Sequence, residues 1–475
     1  MKLVSIVALF TLFLASAGAE DRLNLDDCIQ RGVEENLQLK MQRLQLAAAS
    51  ADVVRVSAVY DPRLQIDGTW QDSELPPGSF PSQGGLERGQ ATARLLRGFS
   101  SGTTVGLEFD AQRNLFEGMG PSDEPTFRTA AGITLSQSLW RNAFGKGQRA
   151  QVDYVRQRLL ALELEYARAR DEVAATIADE YWQALTAQVT ADTRAATIER
   201  LGKLLDNNRR LVADGLLDES AVLAVEASLA VAEVEVERLR YDAIGLDERL
   251  KERINLPFAD WDRVLIDYQW PASMIGPEDI NFADVFETAM QHRADVEALR
   301  REEQRVESLI RWREQDNRGD VQISGSFGRG GSDADFGDTL DFNKNVWSVG
   351  VMVDLSLGRS ASRADLMQAF LEREQIRTEM IMLERSIQLD CRVAARSFTT
   401  AERLVVAAEK ARDAQRRKLE LEVERYQRGQ SDTKTLIDYE NDLADAERQH
   451  AQARGALERA RMALRLVQGE VLTAP

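Results

Sequence analysis

The chain repeats itself, and that repetition restricts its fold more than any other property. The stretch from Leu25 to Trp70 recurs without a gap from Phe282 to Phe327, an offset of 257 positions (282 − 25 = 257). Ile29 aligns with Phe286, Val33 with Met290, Val53 with Ile310, Ile66 with Ile323 and Gly68 with Gly325. A second ungapped correspondence, at offset 214 (366 − 152 = 214), links Val152 to Leu366, Val173 to Ile387, Gly215 to Gly429, Asp218 to Asp432 and Leu250 to Leu464. Apolar character is kept where identity is lost. Self-similarity on this scale predicts one body built from two copies of a single structural unit. The copies are expected at 20–255 and 282–475. Between them, residues 256–281 carry Pro257, Pro271 and Pro277 and are expected to wrap the middle of the long helices.

Each copy reads as helix, strands, very long helix, tight turn and helix. Apolar residues at Val155, Leu159, Leu162, Tyr166, Ala169 and Val173 alternate between spacings of three and four, which is a coiled-coil seam. The same spacing recurs at Val222, Val225, Leu229, Ala232, Val236 and Leu239, and in the second copy at Ile376, Met380, Leu383 and Ile387. No proline interrupts Gly147 to Ala213 or Ser362 to Arg428, so each segment can be one helix about 100 Å long at ~1.5 Å per residue. Both end in a glycine with aspartate three residues on, at Gly215-Leu216-Leu217-Asp218 and Gly429-Gln430-Ser431-Asp432. Glycine closes a helix in the left-handed conformation and Asp caps the next, so each reads as the tip of a helical hairpin.

Between the helices the period changes to two. Leu64, Ile66, Gly68 and Trp70 alternate with Arg63, Gln65, Asp67 and Thr69, which is strand spacing. It recurs over Val105–Asp110, Phe127–Ser136, Val321–Phe327 and Trp347–Leu357, and more weakly over Gln90–Arg97 as an additional hairpin with Thr103–Gln112. The polar, Pro- and Gly-rich stretches 72–89 and 114–125 then read as loops. A half-buried sheet in a soluble domain would alternate in the same way. A membrane barrel is favoured by the export signal described below and by aromatic residues placed near strand ends: Trp70, Phe127, Trp140, Phe327 and Trp347. It is favoured too by there being too few strands for a soluble core. Four to six strands cannot close a barrel that needs about eight at least, so several chains must contribute; three would give twelve or eighteen. The expected fold class is mainly α with membrane β: long coiled-coil hairpins, plus amphipathic strands that close a barrel only in a trimer.

Residues 1–19 read as a signal peptide, with Lys2 at the positive end, an apolar run from Leu3 to Ala15 and Ala17-Gly18-Ala19 at the cleavage site. The net charge of −18 argues against nucleic acid, which requires clustered Lys and Arg. The two cysteines, Cys28 and Cys391, align with Val285 and Ile177, so both are expected to be packing residues. His292 and His450 are the only histidines and neither reads as a catalytic base. No metal-ligand spacing, nucleophile motif or phosphate-binding loop stands in the sequence, and an enzyme or a cofactor is not expected.

Four motifs carry a family resemblance: Leu25-Asp26-Asp27-Cys28-Ile29, Leu135-Ser136-Gln137-Ser138-Leu139-Trp140, Tyr181-Trp182 and Asn255-Leu256-Pro257. With the duplicated architecture they make the chain resemble the TolC-like outer-membrane efflux proteins over essentially the whole mature length. It departs from them at Ser138 and Ala294, where the family usually has proline. The resemblance implies a homotrimer in outer-membrane lipid with a long periplasmic extension. It would conduct passively what an inner-membrane pump delivers through a periplasmic adaptor, without cofactor or catalysis. It also implies that the adaptor-contacting tips are Gly215, Leu216 and Leu217 with Gly429, Gln430 and Ser431. Acidic residues that narrow the entrance would fall at Thr435 and Asp438, so one of the two acidic positions is missing. A ring of three Asp438 carboxylates in a narrow mouth would favour cations. The rival reading, a periplasmic adaptor, has one hairpin set between soluble β modules, whereas this chain has two hairpins, each flanked by amphipathic strands.

Overall fold

A computed structural model describes residues 22–74, 85–116, 124–271 and 280–471; the signal segment, parts of two expected loops and part of the linker lie outside them. In chain order the first copy comprises β1 (Arg22–Leu23), α1 (Leu25–Glu35), α2 (Leu37–Ser57), β2 (Arg63–Glu74), β3 (Gly85–Gly98), β4 (Thr103–Phe116), β5 (Thr126–Ser138), α3 (Lys146–Ala213) and α4 (Glu219–Arg253). After β6 (Leu265–Ile266) come α5 (Phe282–His292), α6 (Ala294–Asp316), β7 (Asp320–Asp333), β8 (Lys344–Asp354), α7 (Ser360–Gln427) and α8 (Thr433–Gln468). The boundaries obey the offsets read from sequence: Leu37 to Ala294 and Arg63 to Asp320 at 257, Lys146 to Ser360 and Glu219 to Thr433 at 214.

The chain divides into two compact units, each drawing on both copies: 1–41, 167–293 and 385–475 in one, 42–166 and 294–384 in the other. In the first unit, Cys28, Ile177, Tyr181, Trp182, Leu250 and Ile254 form a core under the linker. Trp270 stacks on Trp182 with ring centres 6.2 Å apart, and the Tyr181 hydroxyl donates to the Asp267 carbonyl at 2.8 Å. The described part of the linker thus packs on the middle of α3. Cys28 and Cys391 are fully buried, and burial pushes the Cys28 thiol up to about 12.

Helices α1 and α2 break at Asn36, whose backbone is extended and whose side chain accepts from the Gln38 and Leu39 amides. The equivalent break before α6 falls at Arg293, also extended. Ala294 is therefore the first residue of a helix, a position that favours proline but does not require it, because its N–H has no partner inside the helix. At the other departure, the Ser138 amide donates to the Gly102 carbonyl at 3.4 Å, a bond a proline would lack.

The second unit holds one antiparallel sheet in the order β2-β3-β4-β5-β7-β8. The weak alternation over Gln90–Arg97 is a full strand, paired with β2 and β4 throughout. Several expectations are corrected. Residues 72–74, 85–89 and 114–116 belong to strands rather than loops, because backbone ladders such as Asp72 opposite Glu87 tolerate any residue whose side chain stays in polar surroundings. Strand β8 stops at Asp354, opposite the first residue of β7, so Leu355 and Leu357 have no ladder to join. Phe327 lies in mid-strand opposite Trp347 rather than near an end. The fully buried positions of α3 include Val152, Ala161 and Ile177, while the expected seam from Val155 to Val173 is half-buried.

Candidate functional site

Both hairpin tips form as the glycines dictate. Gly215 and Gly429 have φ of +73° and +70°. In the first, the Leu216 amide reaches back to the Leu211 carbonyl at 2.8 Å and the Gly215 amide to Val212 at 2.9 Å; in the second, Gln430 reaches Arg425 and Gly429 reaches Tyr426, each at 2.9 Å. These paired bonds are the Schellman closure, which satisfies carbonyls a helix end would leave open. The next caps differ. The Asp432 carboxylate accepts from the Thr435 amide and hydroxyl, both at 2.9 Å, and these bonds hold it below the usual carboxylate range. Asp218 makes no side-chain cap bond, contrary to its expected role.

The tip residues named from sequence are presented unequally. Gly215, Leu216, Gly429 and Gln430 are exposed, Leu216 by 73%. Leu217 and Ser431 are half-buried, and the Ser431 hydroxyl donates to the buried Glu422 carboxylate. Thr435 is engaged by the Asp432 cap, while Asp438, one turn further along α8, is exposed.

Behind the tips lies a polar knot that the sequence reading did not find. Asn208 on α3 is fully buried; its Oδ1 accepts from the Tyr426 hydroxyl at 2.5 Å and its Nδ2 donates to Thr433 Oγ1 at 3.1 Å. Tyr426 Oη and Thr433 Oγ1 are 3.0 Å apart, closing a ring across α3, α7 and α8. Leu201, Leu204, Leu205, Val225, Leu436 and Ile437 seal it with apolar packing. A signal existed: under the 214 offset Asn208 aligns with Glu422, so both copies place a buried polar residue on an otherwise apolar seam. Further along, Arg200 bonds Glu440 at 2.7 Å and approaches Glu447 at 3.7 Å, and Arg416 reaches Glu447 at 3.2 Å. Burial raises the Glu440 carboxyl above its usual range, with Arg200 working against that shift.

The sheet in the other unit has two unlike faces. One carries Leu64, Ile66 and Trp70 on β2 and Trp347, Val349 and Val351 on β8, all 62–72% exposed, with Leu107, Phe109, Ile133 and Leu135 between them. Near one end the Arg113 guanidinium covers the Trp70 ring and bonds Glu87 at 3.0 Å, keeping its charge at the rim of the apolar band. The β7–β8 connector folds back onto this face, where the buried Thr129 hydroxyl donates to the Thr339 carbonyl at 2.8 Å. The other face carries Asp67, Arg94, Glu108 and Asp110, with Arg94 bonded to Glu108 at 2.8 Å and 3.7 Å from Asp67. Strands β2 and β8 are the edges of the sheet among the described residues. Helices α4 and α7 also leave a second apolar stripe uncovered, at Val231, Val234 and Tyr241 and at Leu371, Met382 and Leu389.

No helix among the described residues is long and apolar enough to cross a membrane. No family model and no curated protein matches the chain by sequence. Solved structures do match. The outer membrane protein VceC from Vibrio cholerae aligns over 94% of this chain and 96% of its own, at 15% identity and a TM-score of 0.66. The CmeC outer membrane channel of Campylobacter jejuni aligns over 96% of this chain and 90% of its own, at 13% identity and a TM-score of 0.67. The open-state MtrE outer membrane channel of Neisseria gonorrhoeae covers 94% and 89%, at 16% identity and a TM-score of 0.64. Over nearly its whole length the present chain therefore has the fold of these solved outer-membrane proteins.

Proposed function

We propose that the chain is one protomer of a homotrimeric outer-membrane channel-tunnel, a passive conduit for substrates delivered by an inner-membrane pump through a periplasmic adaptor. The observation that carries this reading is the open six-stranded sheet with an exposed apolar face. A lipid-exposed sheet cannot leave edge amides and carbonyls unpaired, and six strands are too few to close. Edge strand β2 runs antiparallel to edge strand β8 through the intervening ladder, so the β8 edge of one copy can pair with the β2 edge of the next. The uncovered stripes of α4 and α7 suit helix packing between the same copies.

In this reading Gly215, Leu216, Leu217, Gly429, Gln430 and Ser431 meet the adaptor, with the exposed Leu216 and Gln430 as its main contacts. Asp438 narrows the periplasmic entrance, and Thr435 supports it through the Asp432 cap. Purified protein should run as a heat-sensitive trimer from the outer-membrane fraction and conduct ions in a planar bilayer, and Asp438→Ala should raise conductance or weaken block by divalent cations. Recovery as a soluble monomer would overturn the channel reading. An unchanged Asp438→Ala trace would remove only the aperture role.

A further inference from the structure

The apolar face of the sheet has a border that slides along the ladder. On each strand, the first polar residue met on that face in the direction of the β2–β3 connection marks it: Asp72, Glu87, Arg113, Thr129, Arg329 and Asn345 on β2, β3, β4, β5, β7 and β8. The register fixes their relative heights. Asp72 pairs with Glu87 and Asn345 with Arg329, so the border is level at both margins of the sheet. Between the margins it drops two residues at each strand. Arg113 lies two short of Leu115, the partner of Glu87 (115 − 113 = 2); Thr129 pairs with Ala111 (113 − 111 = 2); Arg329 pairs with Ala131 (131 − 129 = 2). The total is six residues over five strand steps (2 + 2 + 2 = 6). The opposite border moves the same way. Arg97, Thr103 and Gln137 close the band on β3, β4 and β5, whereas Ile323, opposite Gln137, and Val321 beyond it are still apolar.

A bilayer is flat, so a border sliding along the ladder measures the tilt of the strands. Six residues of ~3.3 Å over five spacings of ~4.8 Å give a tilt of about 40°, within the ~35–45° of membrane barrels. Carried one step further, to β2 of a neighbouring copy, the slope makes the slip per copy about seven residues. Only an even slip keeps the apolar faces of both copies outward, so the choice lies between six and eight. A slip of six would make the join level as well. Three level steps would then follow one another, from β7 through β8 and β2 to β3, which strands of one uniform tilt do not produce. It would also set Leu355 opposite Pro62, before the start of β2, whereas a slip of eight sets it opposite Leu64.

We infer that β8 of each copy joins β2 of the next in one register, with Leu355 opposite Leu64, Val353 opposite Ile66, Val351 opposite Gly68 and Val349 opposite Trp70 of that neighbouring copy. This inference rests on the channel reading above. The slip is eight residues per copy and 24 around three copies (3 × 8 = 24), a tilt of about 43° for eighteen strands. The band is then continuous, because Asp72 of the neighbouring copy falls opposite Trp347, two residues below Asn345 (347 − 345 = 2), the same drop as inside the sheet. Leu355, which has no ladder to join within one copy, gains one.

Disulfides read this register directly. Ser348 and Gln71 lie on the polar face and would stand opposite each other across the join, with Cα atoms ~5 Å apart. Thr69 and Ser73, two residues to either side, would be about 8 Å from Ser348, beyond the ~7 Å that a disulfide spans. Inside one copy β2 and β8 are opposite edges of the sheet, so any bond between them joins two copies. Cys28 and Cys391 are fully buried and stay out of the reaction. Ser348→Cys would be combined in turn with Thr69→Cys, Gln71→Cys and Ser73→Cys, and intact trimers oxidised with copper phenanthroline before denaturing, non-reducing electrophoresis. The pair with Gln71→Cys should give covalent trimer and the other two little. Met352→Cys with Asp67→Cys should repeat the result at a second level of the same register. Preferred bonding to Thr69→Cys, a slip of six, or to Ser73→Cys, a slip of ten, would overturn the inference, as would no bonding by any pair in a folded trimer. Failure to obtain a membrane-inserted trimer would be seen before any oxidation and would overturn the channel reading instead.

Discussion

Replacing Tyr426 with phenylalanine deletes one hydroxyl from the closed ring of Asn208, Tyr426 and Thr433 and leaves the shape of the core intact. The hydroxyl donates to Asn208 Oδ1 at 2.5 Å, and Asn208 is fully buried, so the acceptor it abandons cannot turn to water. A buried group left unsatisfied costs about 2 kcal/mol, roughly a thirtyfold rise in the local opening constant of the tip. Hydrogen exchange followed by mass spectrometry would read this on peptides covering 201–213 and 433–443, where protection should fall by that factor. The triple variant Tyr426→Phe, Asn208→Leu, Thr433→Val removes all partners together and should recover most of the protection, because a ring replaced whole leaves no orphaned group. If the single variant exchanges no faster than the native chain, or if the triple is the worse of the two, the knot does not hold the tips and the reasoning fails.

Two further outcomes follow from the same region. Asp432→Ala should destabilise the hairpin by about 1 kcal/mol in denaturant titration, whereas Asp218→Ala should have less than half that effect because its carboxylate makes no cap bond; equal losses would contradict the geometry. The Glu440 carboxyl is raised by burial, so the folded chain takes up its proton at a higher pH than the unfolded chain does. The cost of its ionised form is therefore present at neutral pH and is relieved as pH falls through the raised value. Melting temperatures measured from pH 7 to pH 5 should rise for the native chain relative to Glu440→Gln, and a relative fall would refute the assignment.

Much of this architecture is legible in sequence because the physical signals are local. Alternation at Leu64, Ile66 and Trp70 needs only the strand period, and Gly215 and Gly429 mark the tips because their positive φ strains any other residue. The exact recurrence of helix starts at two fixed offsets follows from the duplication itself. What stayed hidden depends on segments far apart in the chain. Asn208, Tyr426 and Thr433 meet across three helices, and neither spacing nor composition announces that meeting. The charged face of the sheet escaped notice for a related reason: Arg94 looks like one more solvated side chain until the register sets it beside Glu108. The caps show the opposite limit, since Asp218 and Asp432 align and share an identity, yet only one bonds the helix that follows it.

The direction of the outermost strands carries one more consequence. With β2 and β8 pointing opposite ways, a join between neighbouring copies in the proposed trimer would repeat the chemistry of the ladders inside each copy. Inserting a single strand would reverse one rim, forcing a slanted parallel join and leaving the chain on the wrong side of the bilayer. The proposed barrel could be enlarged only in even steps, and the hairpin β3–β4, which has no counterpart between α6 and α7, is the smallest enlargement that parity permits.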